Sequence, residues 1–335
     1  MKSFLKNIFL FILMNILLLC CVVIIPYYII NKKSNFVINK KYKIIVFGHS
    51  HPECAFNDSL IQNFKNLSHS AEPYFYTYQK IKMVIAQNRR IETVLIEFSN
   101  NQIDEKMNDW TWGYKYMSNM FPQYEPFMDR PDIDLLIKNN SKDFLNCVSI
   151  STRQNLFRVI TSNYNFSGSI GSYLKIEGSD TGSLKQASKT SLDNKASLDS
   201  NDKKGYNLSM MNIEYLRKII NYCKHEHKKV LLVRSPQHKD FEFRKNEKIF
   251  YQIKNNYFSD VDLLDFNNFP LKDDEFADYG HLNYKGAFKF SNYFNSILKS
   301  GILSTRNKQL FIDTSIIALK KKTLLTPLTV AFKGN

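Results

Sequence analysis

The sequence holds little cysteine, glycine or proline, and each scarcity excludes a class of protein. Five Cys in 335 residues are too few for a disulfide-built scaffold, and no Cys-x-x-Cys pair is present to indicate structural zinc. Eleven Gly and nine Pro are too few for a collagen-like or linker-dominated chain. With 44% hydrophobic and 23% charged residues, the composition is that of a folded globular protein.

Negative charge is also scarce relative to positive charge. The chain has 46 Lys and Arg against 31 Asp and Glu, a formal net charge of +15. The basic residues are spread rather than gathered in a stripe, and no nucleic-acid-binding motif is present, so we expect no nucleic-acid partner. Lys, Asn, Ile, Phe and Tyr are abundant throughout, as AT-rich coding sequence would impose. A polyanionic neighbour is the alternative explanation.

One long apolar run lies at the N-terminus. Residues 8–30 carry no charge, which is enough length to cross a bilayer as a helix. Lysines stand on both sides of the run, so the positive-inside rule does not fix the orientation. Bulky residues follow it, where a signal peptidase needs small ones. We therefore expect residues 1–33 to be an uncleaved signal anchor, with the remaining domain extracytoplasmic, periplasmic or at the cell surface.

The rest of the chain alternates short apolar runs with helical periodicity. The runs at 43–47, 93–98, 229–233 and 262–266 predict strands. Helical spacing predicts helices over 57–66, 210–226 and 284–298, and another that opens at Pro73. Continuous apolar strands separated by helices indicate a parallel sheet covered on both faces. The sequence therefore predicts a doubly wound α/β domain, with its site beyond the carboxyl ends of the strands.

We expect this domain to span residues 34–300, with two insertions and a C-terminal extension. The insertions lie near 104–160 and 165–207, and residues 301–335 form an extension of unknown structure. Residues 165–207 are rich in Ser, Gly, Asp and Lys, which favours a long surface loop. Residues 110–127 hold both Trp and several other aromatic residues. They form either a packed cover over the sheet or an aromatic lip over a site.

Three groups of polar residues follow strands or precede a helix. Ser50 comes two residues after Gly48 at a strand-to-helix turn, where a nucleophile lies near backbone N–H donors. Asp278 stands three residues before His281, so that its carboxylate can hold the imidazole as a base. Asn100 follows the strand at 93–98, where its amide can donate into an oxyanion hole.

Together these groups resemble the motifs of the SGNH/GDSL hydrolase superfamily. Gly48-His49-Ser50 is similar to that family's Gly-Asp-Ser block, with His49 in place of the Asp. Phe98-Ser99-Asn100-Asn101 is similar to its Gly-x-Asn-Asp block, and Asp278-Tyr279-Gly280-His281 matches its Asp-x-x-His block. The second block of the family supplies a Gly, but residues 66–71 here contain none. The resemblance covers residues from about 43 to 298.

The resemblance implies a flavodoxin-like, three-layer α/β/α fold with a mainly parallel sheet. It also implies that Ser50 is the nucleophile, His281 its base and Asp278 the residue that orients the base. The oxyanion hole would comprise the Ser50 and Ala71 backbone N–H groups and the Asn100 side chain. The further residues implied to lie near the substrate are His49, His51 and Asn101.

The chain also resembles the membrane-anchored branches of this superfamily that modify cell-surface polymers. This implies an acylated, typically acetylated, polysaccharide or a small ester as substrate, and a membrane-bound acyltransferase as partner. The sequence leaves open whether water or a sugar hydroxyl accepts the acyl group. The mechanism requires no cofactor. The alternative is an inactive polysaccharide-binding or assembly protein of the same fold, which His49 and the absent Gly favour.

Two groups of histidines are also considered as metal ligands. A site made of His49, His51 and His281 is conceivable. However, residues two apart beyond a strand rarely converge on one ion, and no acidic cluster is near them in sequence, so we expect no metal. His225 and His227 end a predicted helix, where a cation is favoured by the helix dipole.

Overall fold

The computed structural model describes residues 1–178 and 207–330, and its centre is a five-stranded sheet. All the strand pairs in this sheet are parallel, and the strand order is 2-1-3-4-5. This order is that of flavodoxin-like doubly wound sheets. The predicted fold class is therefore confirmed. The strands are β1 (Ile44–Phe47), β2 (Phe64–Asn66), β3 (Thr93–Glu97), β4 (Lys229–Arg234) and β5 (Leu263–Asp265).

Helices precede the sheet, connect its strands and follow its last strand. In the described part of the chain they are α1 (Lys2–Lys33), α2 (Ser50–Ala55), α3 (Tyr74–Gln87), α4 (Asn108–Trp112), α5 (Tyr114–Tyr124), α6 (Arg130–Ile160), α7 (Met210–His225), α8 (Glu247–Phe258), α9 (Tyr284–Lys299) and α10 (Lys308–Val330). The helix α6 is broken at Asn140, whose backbone is not helical. The insertion at 104–160 is thus helical.

Two hydrophobic cores lie on opposite faces of the sheet, because successive strand residues point to opposite sides. On β1, Ile45 and Phe47 join the core that includes α3 and α7, whereas Val46 joins the core that includes α9 and α10. The central strand β3 is buried along its whole length. The chain therefore forms three layers, as predicted.

The C-terminal extension contributes to this packing. Ile312 and Ile316 of α10 lie in the second core, and α10 packs against β5. The Gln309 amide accepts a hydrogen bond from the Asp265 backbone N–H at 2.9 Å and donates to its carbonyl at 3.1 Å. The side chain therefore pairs with the open edge of β5 as a neighbouring strand would.

The prediction of a helix over residues 57–66 is wrong. This segment forms turns and then the short strand β2. The Asn57 side chain accepts hydrogen bonds from Ser59, a local bond that competes with a helix. Asn63 has a positive φ of 57°, which helical residues do not adopt. The helix expected at Pro73 is present, with Pro73 as the residue before its first turn.

The loop expected at 165–207 lies largely outside the described residues. Its described part, residues 165–178, contains neither helix nor strand. At the other end of the chain, α1 is one continuous helix, long and apolar enough to cross a membrane. Its last turns pack on the domain through the buried residues Pro26 and Ile30.

Candidate active site

The three predicted catalytic residues lie together at the carboxyl ends of the strands. Ser50 is the first residue of α2, three residues after the end of β1. Its hydroxyl Oγ lies 2.7 Å from Nε2 of His281, although the two residues are 231 positions apart in the chain. On the other side of the ring, His281 Nδ1 lies 2.8 Å from both carboxylate oxygens of Asp278. A continuous chain of hydrogen bonds therefore joins the hydroxyl, the imidazole and the carboxylate.

A tight turn places Ser50 in this position. A Cβ atom on Gly48 would lie 2.5 Å from Cβ of Glu97 and 2.6 Å from Cγ of Pro52. Such distances are too short for any side chain. Glycine is therefore needed here because strand β3 and the first turn of α2 approach the backbone closely.

The loop that carries His281 is shaped by its own carboxylate. Asp278 Oδ1 accepts backbone hydrogen bonds from Gly280 at 2.7 Å and from His281 at 2.9 Å. Burial raises the pKa of Asp278, but its hydrogen bonds and attraction to His281 outweigh that effect, so the net pKa is lowered. Asp278 is therefore ionised at neutral pH and holds the imidazole from one side.

A second histidine lies beside the serine. His49 Nδ1 is 3.4 Å from Ser50 Oγ, and its ring is buried. Burial lowers the pKa of His49 to about 3, so the ring is neutral at physiological pH. Its Nε2 lies 2.6 Å from the amide nitrogen of Asn101, which is also buried. His49 and Asn101 therefore support the serine turn from behind.

The expectation that His49 and His51 do not converge is wrong. Their ring centroids are 4.5 Å apart, because α2 begins between the two residues and turns the chain. His51 is buried, and its ring lies 5.2 Å from that of His281. The Gln237 amide lies 2.9 Å from His51 Nδ1.

Glu97 is the site residue that sequence reasoning missed. This buried side chain at the end of β3 accepts hydrogen bonds from the His49 backbone N–H at 2.8 Å and the Ser99 hydroxyl at 2.9 Å. Its oxygens lie 3.4 and 3.3 Å from Nδ1 of His49 and His51. Burial raises the pKa of Glu97, but the two histidines lower it further, to about 2. The available signal was a carboxylate that ends an otherwise apolar strand.

His49, His51 and Glu97 are also the group that could hold a metal ion. One ligand atom from each lies within 4.8 Å of the others, and all three residues are buried. No acidic cluster was expected near these histidines, and the structure brings one carboxylate, that of Glu97, beside them. The same atoms, however, pair with one another and with Asn101 and Gln237. As described, they form a hydrogen-bonded support for the serine turn.

Asn100 is held by partners other than the serine. Its amide nitrogen donates to the Phe243 carbonyl at 2.8 Å, and its oxygen accepts from Arg234 at 3.1 Å. Arg234 is itself buried between the carboxylates of Asp265 and Glu247. Donation from Asn100 to an oxyanion stays a prediction.

The loop after β2 contains the other predicted oxyanion donor. The His69 backbone N–H donates to the Gly48 carbonyl at 3.0 Å, which ties this loop to the serine turn. Ala71 has a positive φ of 60°, the conformation that favours glycine. Ala71 therefore adopts a backbone conformation that glycine usually supplies, and its role as an oxyanion donor stays a prediction.

A buried ion pair supports this loop. Lys80 of α3 donates to the Leu67 carbonyl and pairs with Glu72, both at 2.7 Å. Neither charged side chain is exposed. Glu72 also accepts hydrogen bonds from Thr77 and Tyr124, each at 2.9 Å. The pair therefore fixes both ends of the loop that carries Ala71.

Aromatic side chains stand on two sides of the histidines. The Trp110 ring centroid lies 6.1 Å from that of His49, and Trp110 stacks on Tyr116 at 5.0 Å. Both rings are partly exposed. Phe241 packs against His51 at 5.5 Å. Within the aromatic segment at 110–127, Phe121, Tyr124 and Phe127 are buried, whereas Trp110 and Tyr116 remain partly open, and a lip over a site stays a prediction.

Comparisons with known proteins leave the family open. A family profile that carries no descriptive name matches residues 189–303, less than half of the chain. No curated protein matches the chain. Among solved structures, one described as a candidate platelet activating factor from Streptococcus pneumonia has a TM-score of 0.37 and 11% identity, with 84% of this chain and 98% of that chain covered. A likeness of this degree supports no argument about activity.

Proposed function

We propose that this chain is a serine-dependent acyl-ester hydrolase or O-acyltransferase of the SGNH kind. The observation that carries the proposal is the hydrogen-bonded chain Ser50–His281–Asp278 at the carboxyl edge of the sheet. A nucleophile that contacts a base, which in turn contacts an orienting carboxylate, is the arrangement that activates a serine.

The residues support a two-step acyl transfer. Ser50 Oγ attacks the ester carbonyl carbon, and its proton passes to His281 Nε2. His281 then gives that proton to the leaving alcohol oxygen, which leaves an acyl-Ser50 ester. An acceptor hydroxyl, from water or from a sugar, attacks this ester while His281 takes its proton and returns it to Ser50. Asp278 keeps the His281 Nδ1 proton in place throughout, so Nε2 stays available as the base.

The negative charge on the carbonyl oxygen needs N–H donors. We propose the backbone N–H groups of Ser50 and Ala71 and the Asn100 amide for this role. In comparable sites, removal of one such donor costs about 3–4 kcal/mol of transition-state stabilisation. The buried network around Glu97 holds the serine turn rigid, as such a site requires.

We propose an acylated, typically acetylated, polysaccharide as the substrate. The support for this is the stacked pair Trp110 and Tyr116 beside the serine turn, because flat aromatic faces pack well against sugar rings. We further propose that α1 is a single-pass anchor that holds the domain outside the cytoplasm. A membrane-bound acyltransferase would then be a natural partner and would supply or share the acyl group.

One observation favours the alternative of an inactive polysaccharide-binding protein. The Asn100 amide bonds to Phe243 and Arg234, so the side-chain oxyanion donor is engaged elsewhere. An enzyme needs this amide to serve the oxyanion, whereas a binding protein does not. Covalent labelling of the serine separates the two functions.

The test is covalent labelling of the full-length chain in detergent with a fluorophosphonate, read by intact-mass spectrometry. We expect a single adduct that maps to Ser50 and is lost in Ser50→Ala and His281→Ala. Ser59→Ala is the matched control, because Ser59 is exposed and bonds only locally to Asn57 in the described contacts. It should label like the wild type.

Absence of any adduct on folded wild-type protein would overturn the catalytic proposal and leave the binding function. If the adduct forms, acetylated glycans and small acetyl esters should be offered with and without a sugar acceptor. Release of free acetate would indicate hydrolysis, and acetyl transfer to the acceptor would indicate transferase activity.

A further inference from the structure

The apolar helix α1 enters the folded domain without a linker. Its last turns are packed, with Pro26 and Ile30 buried, and the next residues Ser34 and Phe36 are buried as well. The Phe36 ring stacks on Phe166 at a centroid distance of 4.9 Å. The domain is therefore fixed to the end of the membrane-length helix rather than tethered at a distance.

The point where α1 joins the domain lies at the edge of the sheet opposite to the candidate site. The backbone N–H groups of Phe36 and Ile38 bond to Gln87 and Asn88 at the end of α3, at 2.7 and 2.9 Å. That end of α3 leads into the amino end of β3, whereas Ser50 follows the carboxyl end of β1. In a parallel sheet these two edges are a strand length apart.

Helix α6 connects the two edges. At its break, the Asn140 amide donates to the Trp112 carbonyl at 2.8 Å, close to the aromatic residues of the site. Further along, Ser151 and Asn155 bond to Glu125, at 3.0 and 3.2 Å. The segment that contains Glu125 packs against α1. Helix α6 therefore runs from the site towards α1.

The exposed face of α6 changes character along this course. Between Lys142 and Gln154 the exposed side chains are polar, with the exception of Leu145. In the last turn and a half they become apolar, since Phe157 is 66% exposed and Ile160 is 73% exposed, with Leu156 beside them. Large apolar groups at this exposure are costly to leave in water.

Basic residues accompany this apolar end. Lys32 and Lys33 are exposed in the last turn of α1, and Arg153 is exposed one turn before Phe157. The Asn35 backbone N–H donates to the Tyr164 carbonyl at 2.8 Å, which holds the chain after α6 against the exit of α1. An apolar helix end with cations at its border is typical of a segment that lies in a membrane interface.

We propose that the apolar end of α6, formed by Leu156, Phe157 and Ile160, lies in the interfacial layer of the bilayer that α1 crosses. The bilayer is the occupant that fits because this surface is continuous with α1. Docking of this kind fixes the orientation of the domain. The site edge, which lies towards the other end of α6, would then face away from the membrane surface.

The experiment places single fluorescent labels on the full-length chain in vesicles of phosphatidylcholine and phosphatidylglycerol. Cys20 and Cys21 are first replaced by serine, and Cys54, Cys147 and Cys223 are buried. A nitrobenzoxadiazole label is then attached to Phe157→Cys or Ile160→Cys, and its quenching by doxyl-labelled lipid is measured. We expect at least a twofold loss of emission at both positions.

Two matched labels make the result decisive. Phe11→Cys, in the middle of α1, should be quenched and shows that the helix is in the bilayer. Tyr114→Cys is exposed at the site edge, and should not be quenched. If Phe11→Cys is quenched but Phe157→Cys and Ile160→Cys behave like Tyr114→Cys, the docked orientation is wrong. A label at 157 that is shielded from water but not quenched by lipid indicates a protein partner and also overturns the proposal. If the label at Phe11→Cys is not quenched, α1 does not lie in the bilayer, and the proposal is overturned as well.

Discussion

Replacement of Asp278 by asparagine tests how the candidate base is held. In the wild type, both carboxylate oxygens lie 2.8 Å from His281 Nδ1, so the proton resides on Nδ1 and Nε2 can accept the Ser50 proton. The amide of Asp278→Asn can present an N–H to Nδ1 instead. The imidazole proton then moves to Nε2, which faces the serine as a donor and no longer acts as a base.

The expected loss follows from this exchange of tautomer. In fully buried triads the same replacement lowers the rate about 10⁴-fold. Here the Asp278 side chain is 55% exposed and that of His281 is 26% exposed, so water can partly replace the lost contact. We therefore expect the fluorophosphonate labelling rate and acetyl-ester hydrolysis to fall by about 10²- to 10⁴-fold.

The matched control is Asp274→Asn, four residues earlier and 58% exposed, which pairs only with Lys285 in the described ion pairs. It should react at the wild-type rate. The reasoning is refuted if Asp278→Asn labels within about threefold of the wild type while Ser50→Ala does not label. In that event another group orients His281, and the carboxylate has a purely structural role in its loop.

Further predictions concern stability and binding. Lys80→Met leaves the buried Glu72 carboxylate without its cation and should lower the free energy of unfolding by about 3–5 kcal/mol in urea titrations, whereas Lys80→Met with Glu72→Gln should recover most of the loss. Equal losses in the single and double variants would contradict this. Gly48→Ala should cost about 1–3 kcal/mol by the same assay, because its Cβ has no room. The pKa of His49 is about 3 in the folded state and near 6.5 when unfolded, so the unfolded chain binds more protons between these values. Stability should therefore fall as pH drops from about 6.5 to 4.5, with a slope of up to about 1.4 kcal/mol per pH unit, and His49→Asn should flatten the curve in this window. Trp110→Ala should raise KM for an acetylated glycan about three- to tenfold, equivalent to about 0.5–1.5 kcal/mol of aromatic contact, with little change for a small acetyl ester.

The longer strands could be predicted because each is an uninterrupted apolar run. Strands β1, β3 and β4 lie within one or two residues of their predicted bounds, since burial on both faces demands apolar residues throughout. Strand β2 was missed because it has three residues, Phe-Lys-Asn, and only the first is apolar. Its place in the sheet depends on pairing with β1, a contact that local periodicity does not show.

The candidate catalytic residues could be predicted because their motifs are local. Ser50 lies three residues after the end of its strand, and Asp278 and His281 lie on one loop, so each motif can be recognised from a few neighbouring residues. Glu97 was missed because an acidic residue after an apolar run indicates only that the strand ends there. The engagement of Asn100 could not be foreseen either, since its partner Arg234 is 134 positions away and its charge is balanced by Asp265 and Glu247.

The polar residues around the serine divide into two groups by burial, and this division bears on how the site works. The Ser50–His281 pair is partly open to solvent, with His281 26% exposed, whereas Glu97, His49 and Asn101 are almost completely buried. Buried polar side chains that are mutually hydrogen-bonded are rigid, because any movement leaves a donor or acceptor unpaired. The buried position of His49 is therefore consistent with a role in holding the serine turn. The neutral ring packs under the serine turn, with its Nδ1 3.3 Å from the His51 backbone nitrogen at the start of α2, and in the proposed mechanism the proton transfer falls to His281.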